Sequence, residues 1–234
     1  MQPPSVRLRH AIINNNVKIV ERLLHRFPSL LINTDFDNSS WTNLHYAAFH
    51  GHFEICVILT QLGHDAAEVS LDSSNCTSLH LAALKNHEQT IHFLAQKFPS
   101  TIDSTSTPLG YTPLILACDN GHDASVNLLL DFGANPEKPD ILGNTPLHHA
   151  VEYGHRKVIR SLLERGANYK STNTAGWMPS QYSFSVSIKS FLNNLTIEIE
   201  RRADEQIKKE MLQQKLLAEK RIVPSANEST TPVS

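Results

Sequence analysis

A phrase of six residues returns along this chain at an almost fixed interval, and it limits the possible folds more than any figure of composition. It reads Thr42-Asn43-Leu44-His45-Tyr46-Ala47, then Thr77-Ser78-Leu79-His80-Leu81-Ala82. It returns as Thr112-Pro113-Leu114-Ile115-Leu116-Ala117 and as Thr145-Pro146-Leu147-His148-His149-Ala150. The threonines are 35, 35 and 33 residues apart. A further 33 residues on, Met178-Pro179-Ser180 is a worn copy behind Gly176-Trp177, and 36 residues before Leu44 stands Leu8, with Ala11 in the place of Ala47. Four clear units are therefore flanked by a degenerate one at each end. A period of roughly 20–50 residues is the mark of repeat architectures, in which each unit buries its apolar face only against its neighbours.

Other positions stay in phase. Gly51-His52, Asn86-His87, Gly121-His122 and Gly154-His155 follow each threonine by nine or ten residues. Apolar runs come next, at Ile55-Cys56-Val57-Ile58-Leu59, Ile91-His92-Phe93-Leu94, Val126-Asn127-Leu128-Leu129-Leu130 and Val158-Ile159-Arg160-Ser161-Leu162-Leu163. Each piece has a physical task. Threonine caps a first helix, and proline fits its first turn, where a missing N–H costs nothing. Leucine and alanine pack between units. Glycine before histidine ends that helix in a left-handed turn, and a second helix starts at Phe53, Glu88, Asp123 or Arg156. Gly133-Ala134-Asn135 and Gly166-Ala167-Asn168 then release the chain into the turn leading to the next unit. The turn glycine two residues before threonine is Gly110, Gly143 or Gly176, but Asn75 in the third unit and Ser40 in the second. Serine tolerates the left-handed conformation poorly, so the hairpin around Asp35 to Trp41 is expected to be irregular.

The expected fold is an all-α repeat solenoid of residues 1–195, with caps at both ends. The first unit carries Arg7, Arg9, Lys18, Arg22 and Arg26, and the last replaces the Leu-His-x-Ala core with Ser180-Gln181-Tyr182-Ser183, which suits a face nothing packs on. A charged helical extension, 196–223, follows. From Glu198 to Arg221, 13 of 24 residues are charged and neither Gly nor Pro occurs, a helix by propensity. Ile199, Ala203, Ile207 and Met211 are spaced by four, but Leu212, Leu216 and Leu217 drift around the cylinder. A solvated helix extending the last repeat and a partner-docking or coiled-coil helix both remain open. Pro224 ends it, and 224–234 is expected to be a disordered tail, with Thr231-Pro232 a candidate phosphorylation site.

Thirteen histidines raise the question of chemistry. Three of them (His45, His80, His148) hold the Leu-His slot and four (His52, His87, His122, His155) follow the helix-ending turn, so seven belong to the repeat. The other six (His10, His25, His50, His64, His92, His149) have no common ligand spacing. If the repeat histidines are buried and neutral, acidification should loosen the stack. Phosphate-binding glycine loops, nucleophile elbows and zinc-protease motifs are missing. Cys118 falls where other units have Ala48, Ala83 and Val151, and Cys56 lies among apolar positions; Cys76, in a turn, is the more exposable. Three cysteines without paired spacing fit a reducing compartment. No catalytic residue, cofactor or metal is expected. No run of apolar residues is long enough for a membrane span, and no secretory signal is expected at the N-terminus.

Charge is the more informative pattern. The chain has 21 basic and 23 acidic residues, which excludes a globally basic nucleic-acid binder. Residues 1–26 are net +4, residues 27–155 net −11 and residues 156–170 net +4. An acidic middle is either ordinary solvated surface or a field that steers a basic partner. Stacked repeats leave their hairpin tips and inner helices as one continuous surface. The candidate protein-binding residues are the large apolar side chains at the tips (Trp41, Tyr111, Ile141, Leu142, Trp177) and Asp119, Glu152 and Tyr153 on the inner face. Local packing is the alternative for Trp41 and Tyr111.

The six-residue phrase resembles the Thr-Pro-Leu-His-x-Ala signature of ankyrin repeats, which implies a protein-binding solenoid. Within that class, Pro4-Ser5-Val6-Arg7-Leu8-Arg9, Ala11-Ile12-Ile13, Leu44-His45-Tyr46-Ala47, His50-Gly51, Ile55-Cys56-Val57, Gln61-Leu62-Gly63-His64-Asp65 and His87-Glu88-Gln89-Thr90 resemble the ankyrin-repeat subunits of the fungal (yeast) TOR complex 2. The likeness is densest from Pro4 to Pro99 and does not reach the tail from Ile197. It implies a non-catalytic adaptor with protein partners in TOR complex 2, monomeric within a hetero-complex, cytoplasmic and peripheral to the plasma membrane, in cytoskeletal, cell-wall or sphingolipid signalling. A gankyrin-like chaperone of proteasome assembly is the alternative, although such a stack holds seven units and this chain about six. A DNA-associated ankyrin regulator fits the acidic middle poorly.

Overall fold

The computed structural model describes residues 2–183 and 185–222, with side chains of the last helix as far as Lys215. The expected end of the helix at Pro224, the tail and Thr231-Pro232 lie outside the described residues. Among those described, the chain forms twelve α-helices: α1 (Pro4–Ile13), α2 (Val17–Arg26), α3 (Asn43–Phe49), α4 (Phe53–Gln61), α5 (Ser78–Leu84), α6 (Glu88–Lys97), α7 (Pro113–Asp119), α8 (Asp123–Asp131), α9 (Pro146–Glu152), α10 (Arg156–Glu164), α11 (Pro179–Tyr182) and α12 (Val186–Ile222). The chain groups into two bodies, one ending at Leu192 and one beginning at Asn193.

The first helix of each central unit starts on its threonine. Thr42, Thr77, Thr112 and Thr145 are N-caps in extended conformation. In three units the cap is reciprocal, and histidine takes the place usually held by Glu or Gln. The Nδ1 of His45, His80 and His148 accepts the backbone N–H of the capping threonine at 3.1–3.2 Å. In α7 the position is Ile115, and Thr112 Oγ1 accepts the Ile115 N–H instead. The second helices start at Phe53, Glu88, Asp123 and Arg156, as the spacing predicts.

Helices of seven residues do not hold in water on their own, so packing maintains them. Inner helices stack in the order α1, α3, α5, α7, α9, α11, and outer helices in the order α2, α4, α6, α8, α10. Leu8, Leu44, Leu79, Leu114 and Leu147 are buried between inner helices, and Ala47, Ala82, Ala117 and Ala150 are closed off completely beside them. Each buried leucine contributes about 1.5–3 kcal/mol through removal of apolar surface from water. Ile55, Ile91, Val126 and Val158 repeat this in the outer row.

Units end in two ways. Gly133 and Gly166 follow α8 and α10, whereas α2 and α6 run into short 3-10 turns at Pro28–Leu30 and Pro99–Thr101. The N-terminal cap is less solvated than its charge suggests. Arg9 reaches Asp35 at 3.0 Å and lies over the Tyr46 ring, so this arginine ties α1 to the first hairpin. At the other end, Gln181 stands in the slot of His148 and accepts the Met178 N–H at 2.8 Å, while Tyr182 packs edge-on against His148. The last repeat helix and the charged extension are one helix, α12. In the second body, Arg202 pairs with Glu198 and Arg201 with Glu205 one turn away, and Ile197, Ile207, Met211 and Leu212 are exposed.

Candidate functional site

Five hairpins link the units, and an aspartate or asparagine organises four of them. Asp72, Asp140 and Asn173 each accept two backbone N–H groups of their own turn through one side-chain oxygen, at 2.8–3.0 Å. Asp35 opens the first hairpin and closes on Trp41 through an isolated bridge, but two residues more separate its ends than in the turn from Asp72 to Cys76. Ser39 and Ser40 are both left-handed there, the irregularity that serine at this position predicts.

The tips are bonded to one another. Ser73 N–H donates to Ser39 O, Thr107 N–H to Ser74 O, Ile141 N–H to Leu109 O and Thr174 N–H to Leu142 O, at 2.7–3.1 Å. A backbone run therefore crosses all five hairpins, and side chains on the tips hold a fixed relation from unit to unit. Histidines add links in both directions. The Nε2 of His45 donates forward to Cys76 O, that of His80 to Tyr111 O and Ser104 O, and that of His148 to Trp177 O. The Nε2 of His52, His87, His122 and His155 donates backward to Ile13 O, Phe49 O, Leu84 O and Asp119 O. For His45, His80 and His148 the tautomer is fixed: Nδ1 faces a donor and Nε2 an acceptor, so each ring is neutral. Burial pushes their pKa below the ordinary imidazole value, for His80 to about 4.

His149 is the exception. It is buried, with Nδ1 2.7 Å from Asp119 Oδ1 and Nε2 3.2 Å from Asp140 Oδ2. Nε2 is hydrogen-bonded to Asp140, whereas Nδ1 meets the Asp119 carboxylate as a close ion pair without hydrogen-bond alignment, and a carboxylate beside each nitrogen favours the imidazolium. Burial opposes that charge, but Asp119 first and Asp140 with it outweigh burial and raise the pKa. The Tyr111 ring stands edge-on to His149 with centroids 5.1 Å apart. Burial, then Asp119, Asp140, Tyr153 and Glu152, push the Tyr111 hydroxyl up to about 12. Asp119 first, with burial and Glu152, raises that of Tyr153. These groups form one acidic, aromatic cluster across the fourth and fifth units. Asp140 also accepts from Asn144 Nδ2, and Asn173 Nδ2 donates to Asn144 Oδ1, so the cluster continues under the tips.

A family model described as ankyrin repeats (3 copies) matches residues 8–107 and 79–173. The chain belongs to the ankyrin-repeat family. This ankyrin chain is also similar to the target of rapamycin complex 2 subunit AVO2 of Saccharomyces cerevisiae, being 38% identical over 135 residues. The match covers 58% of this chain and 31% of that protein, so the chain spans about a third of the relative's length.

Within the ankyrin stack the eight candidate binding residues separate into kinds. Ile141, Leu142, Trp177 and Tyr153 are 60, 52, 54 and 58% exposed, and Glu152 is exposed beside Tyr153. Trp41 is half-buried: it packs on Tyr46 and Phe49 with centroids 5.1 and 5.0 Å away and donates from Nε1 to Asp72. Tyr111 and Asp119 are half-buried around His149. Trp41 thus belongs to the packing of the first hairpin on α3, tied to the second hairpin through Asp72, and lies apart from the cluster. His149 and Asp140, both buried beneath the cluster, and the exposed Leu109 on the neighbouring tip are not among the eight. The signal for His149 was its slot, where the other units have Tyr46, Leu81 and Leu116. Tyr46 uses that slot in the same way, donating its hydroxyl to Asp35 at 2.7 Å.

Burial raises the thiol pKa of Cys56 to about 12, that of Cys76 to about 11 and that of Cys118 well above the usual range, which leaves all three protonated and poor nucleophiles. Among the described residues no group of three or more His, Cys, Asp or Glu side chains is placed to hold a metal ion, and no helix is long and apolar enough to cross a membrane. The chain is built as a protein-interaction scaffold.

Proposed function

We propose that this chain is a non-catalytic adaptor and a peripheral subunit of a target of rapamycin complex 2, holding other proteins of that assembly on its hairpin tips and inner-helix face. The observation that carries this reading is the 38% identity to a subunit of that complex. The match runs over 135 residues, the length of about four repeats. The exposed apolar tips support it, since large side chains held on a rigid frame make interface anchors at little cost in conformational entropy. In this reading the chain is cytoplasmic and reaches the plasma membrane through the other subunits, serving cytoskeletal or sphingolipid signalling. Affinity purification of the tagged chain from its own cells, followed by mass spectrometry, tests it. The expected result is co-purification of the TOR kinase and its scaffold subunits. Recovery of proteasomal ATPase subunits in their place would overturn it.

A further inference from the structure

Asp119 and Asp140 both lie against His149, and one imidazolium balances only one of them. Glu152 adds a second uncompensated carboxylate, and among the described residues no cation pairs with it. This stretch of chain is poor in cations, because residues 27–155 contain only Lys85, Lys97 and Lys138. Nearer the N-terminus the inner face supplies its own cation: the ammonium of Lys85 sits 4.7 Å over the Phe49 ring. One unit later the position of Lys85 is held by Asn120, a neutral residue. Near the N-terminus, Arg9 fills a setting of ring and carboxylate, pairing with Asp35 and lying over the Tyr46 ring; around Tyr111 and Tyr153 rings and carboxylates are again together, and among the described residues no arginine or lysine pairs with them. Alongside, the exposed Ile141 and Leu142 project from a tip whose backbone is bonded to its neighbours on both sides.

We infer that the inner face of the fourth and fifth units binds a basic peptide segment of a partner protein, with an arginine or lysine over Asp119 and Glu152 against the rings of Tyr111 and Tyr153, and an apolar residue on Ile141 and Leu142. The inference rests on the reading of the chain as a scaffold and names the chemistry of what that scaffold holds. A cation gains twice here, from the carboxylates and from the electron-rich ring faces. Arginine suits the place better than lysine, because its planar head both stacks on tyrosine and forks onto a carboxylate. A glutamate-bearing segment would meet repulsion at the same point.

Fluorescence anisotropy of the whole chain with two labelled nine-residue peptides tests this, one being three copies of Leu-Arg-Ser and the other three copies of Leu-Glu-Ser. The expected result is saturable binding of the arginine peptide, weaker as salt is raised, with no binding of the glutamate peptide. Glu152→Gln and Tyr153→Ala alter exposed side chains and should each weaken binding about fivefold or more. Leu142→Ala should also weaken it, and Glu88→Gln on the outer row should leave it unchanged. Asp119→Asn is read only alongside a melting curve, since it touches His149. Equal binding of both peptides, no binding of the arginine peptide, or an unchanged affinity in Glu152→Gln and Tyr153→Ala would overturn the inference. Co-purification of the kinase complex is a separate readout and stands or falls independently of these titrations.

Discussion

At the scale of single residues, histidine does two opposite jobs in this stack. His45, His80 and His148 are neutral and buried, and their folded pKa lies below that of an unfolded imidazole. The unfolded chain then binds more protons, so their contribution is fully present above about pH 6.5 and is lost as pH falls below it. For His80, held at about 4, the full effect amounts to roughly 3 kcal/mol. His149 has the reverse sign: its raised pKa gives stability that is present below the ordinary imidazole value and is lost as pH rises through the raised one. Urea unfolding from pH 7.5 to 5 should therefore show stability falling towards acid, because the lowered histidines, His50 among them, outnumber His149 by four to one. His80→Gln should flatten that slope, since Gln181 already accepts the capping N–H in the last unit. His149→Leu, which restores the residue type of Leu81 and Leu116, should cost more stability at pH 6 than at pH 8.5. Glycine offers a second residue-scale test. Gly121 has φ +70°, and a Cβ there would come 2.5 Å from the His155 ring, whereas Gly133 has φ +87° and open space around it. Gly133→Ala should cost about 1–2 kcal/mol for the left-handed backbone alone. Gly121→Ala should cost more, because His155 must also leave Asp119 O. Equal losses in denaturant titrations would show that the close approach carries no energy.

At the scale of elements, the hairpins and the inner helices divide the work. Leu114 is fully buried between inner helices, and Leu114→Ala should destabilise by roughly 2–5 kcal/mol, the transfer term plus the cavity left behind. Leu142 lies on a tip, half of its surface in water, and Leu142→Ala should change stability by about 0.5 kcal/mol or less. The first hairpin is the strained one. Ser40 has φ +58°, so Ser40→Gly relieves a backbone cost of about 1–2 kcal/mol against the extra freedom glycine gives the unfolded chain. A small rise in melting temperature is the expected outcome, and a fall would mean that the serine side chain holds the turn. The boundaries of these elements were legible, because threonine, proline and glycine punctuate each unit and the outer helices begin where the spacing places them. The path of α12 was less legible. The last unit's second helix and the charged segment carry no break between them, so the repeat pattern fades while the helix continues.

At the scale of the molecule, the net charges of +4, −11 and +4 along the chain take on a spatial meaning. Part of the acidic run lies in the hairpins and inner helices, with Asp119, Asp140 and Glu152, while Glu54, Glu88, Asp123 and Asp131 lie on outer helices. Several of the basic residues that follow belong to the outer helix α10, where Arg156 and Arg160 lie over the Phe191 ring. In the proposed reading, a partner at the inner face of the fourth and fifth units meets Glu152 and Asp119. The sequence by itself determined the repeat, its register, the all-helical class and the place of seven histidines in the repeat, because each of these is set by residues that meet within one unit or recur at the same place in the next. Only the tertiary structure decided which side chains share a surface. Trp41 was drawn into its hairpin by Tyr46, Phe49 and Asp72, while Tyr111 and Asp119 were gathered from one unit around His149 of the next. The contacts of Trp41 with Asp72 and of Tyr111 and Asp119 with His149 join residues 30 to 38 positions apart across the stack. Periodicity states that units stack, but the side chains that meet across the stack depend on the few positions where the repeats differ.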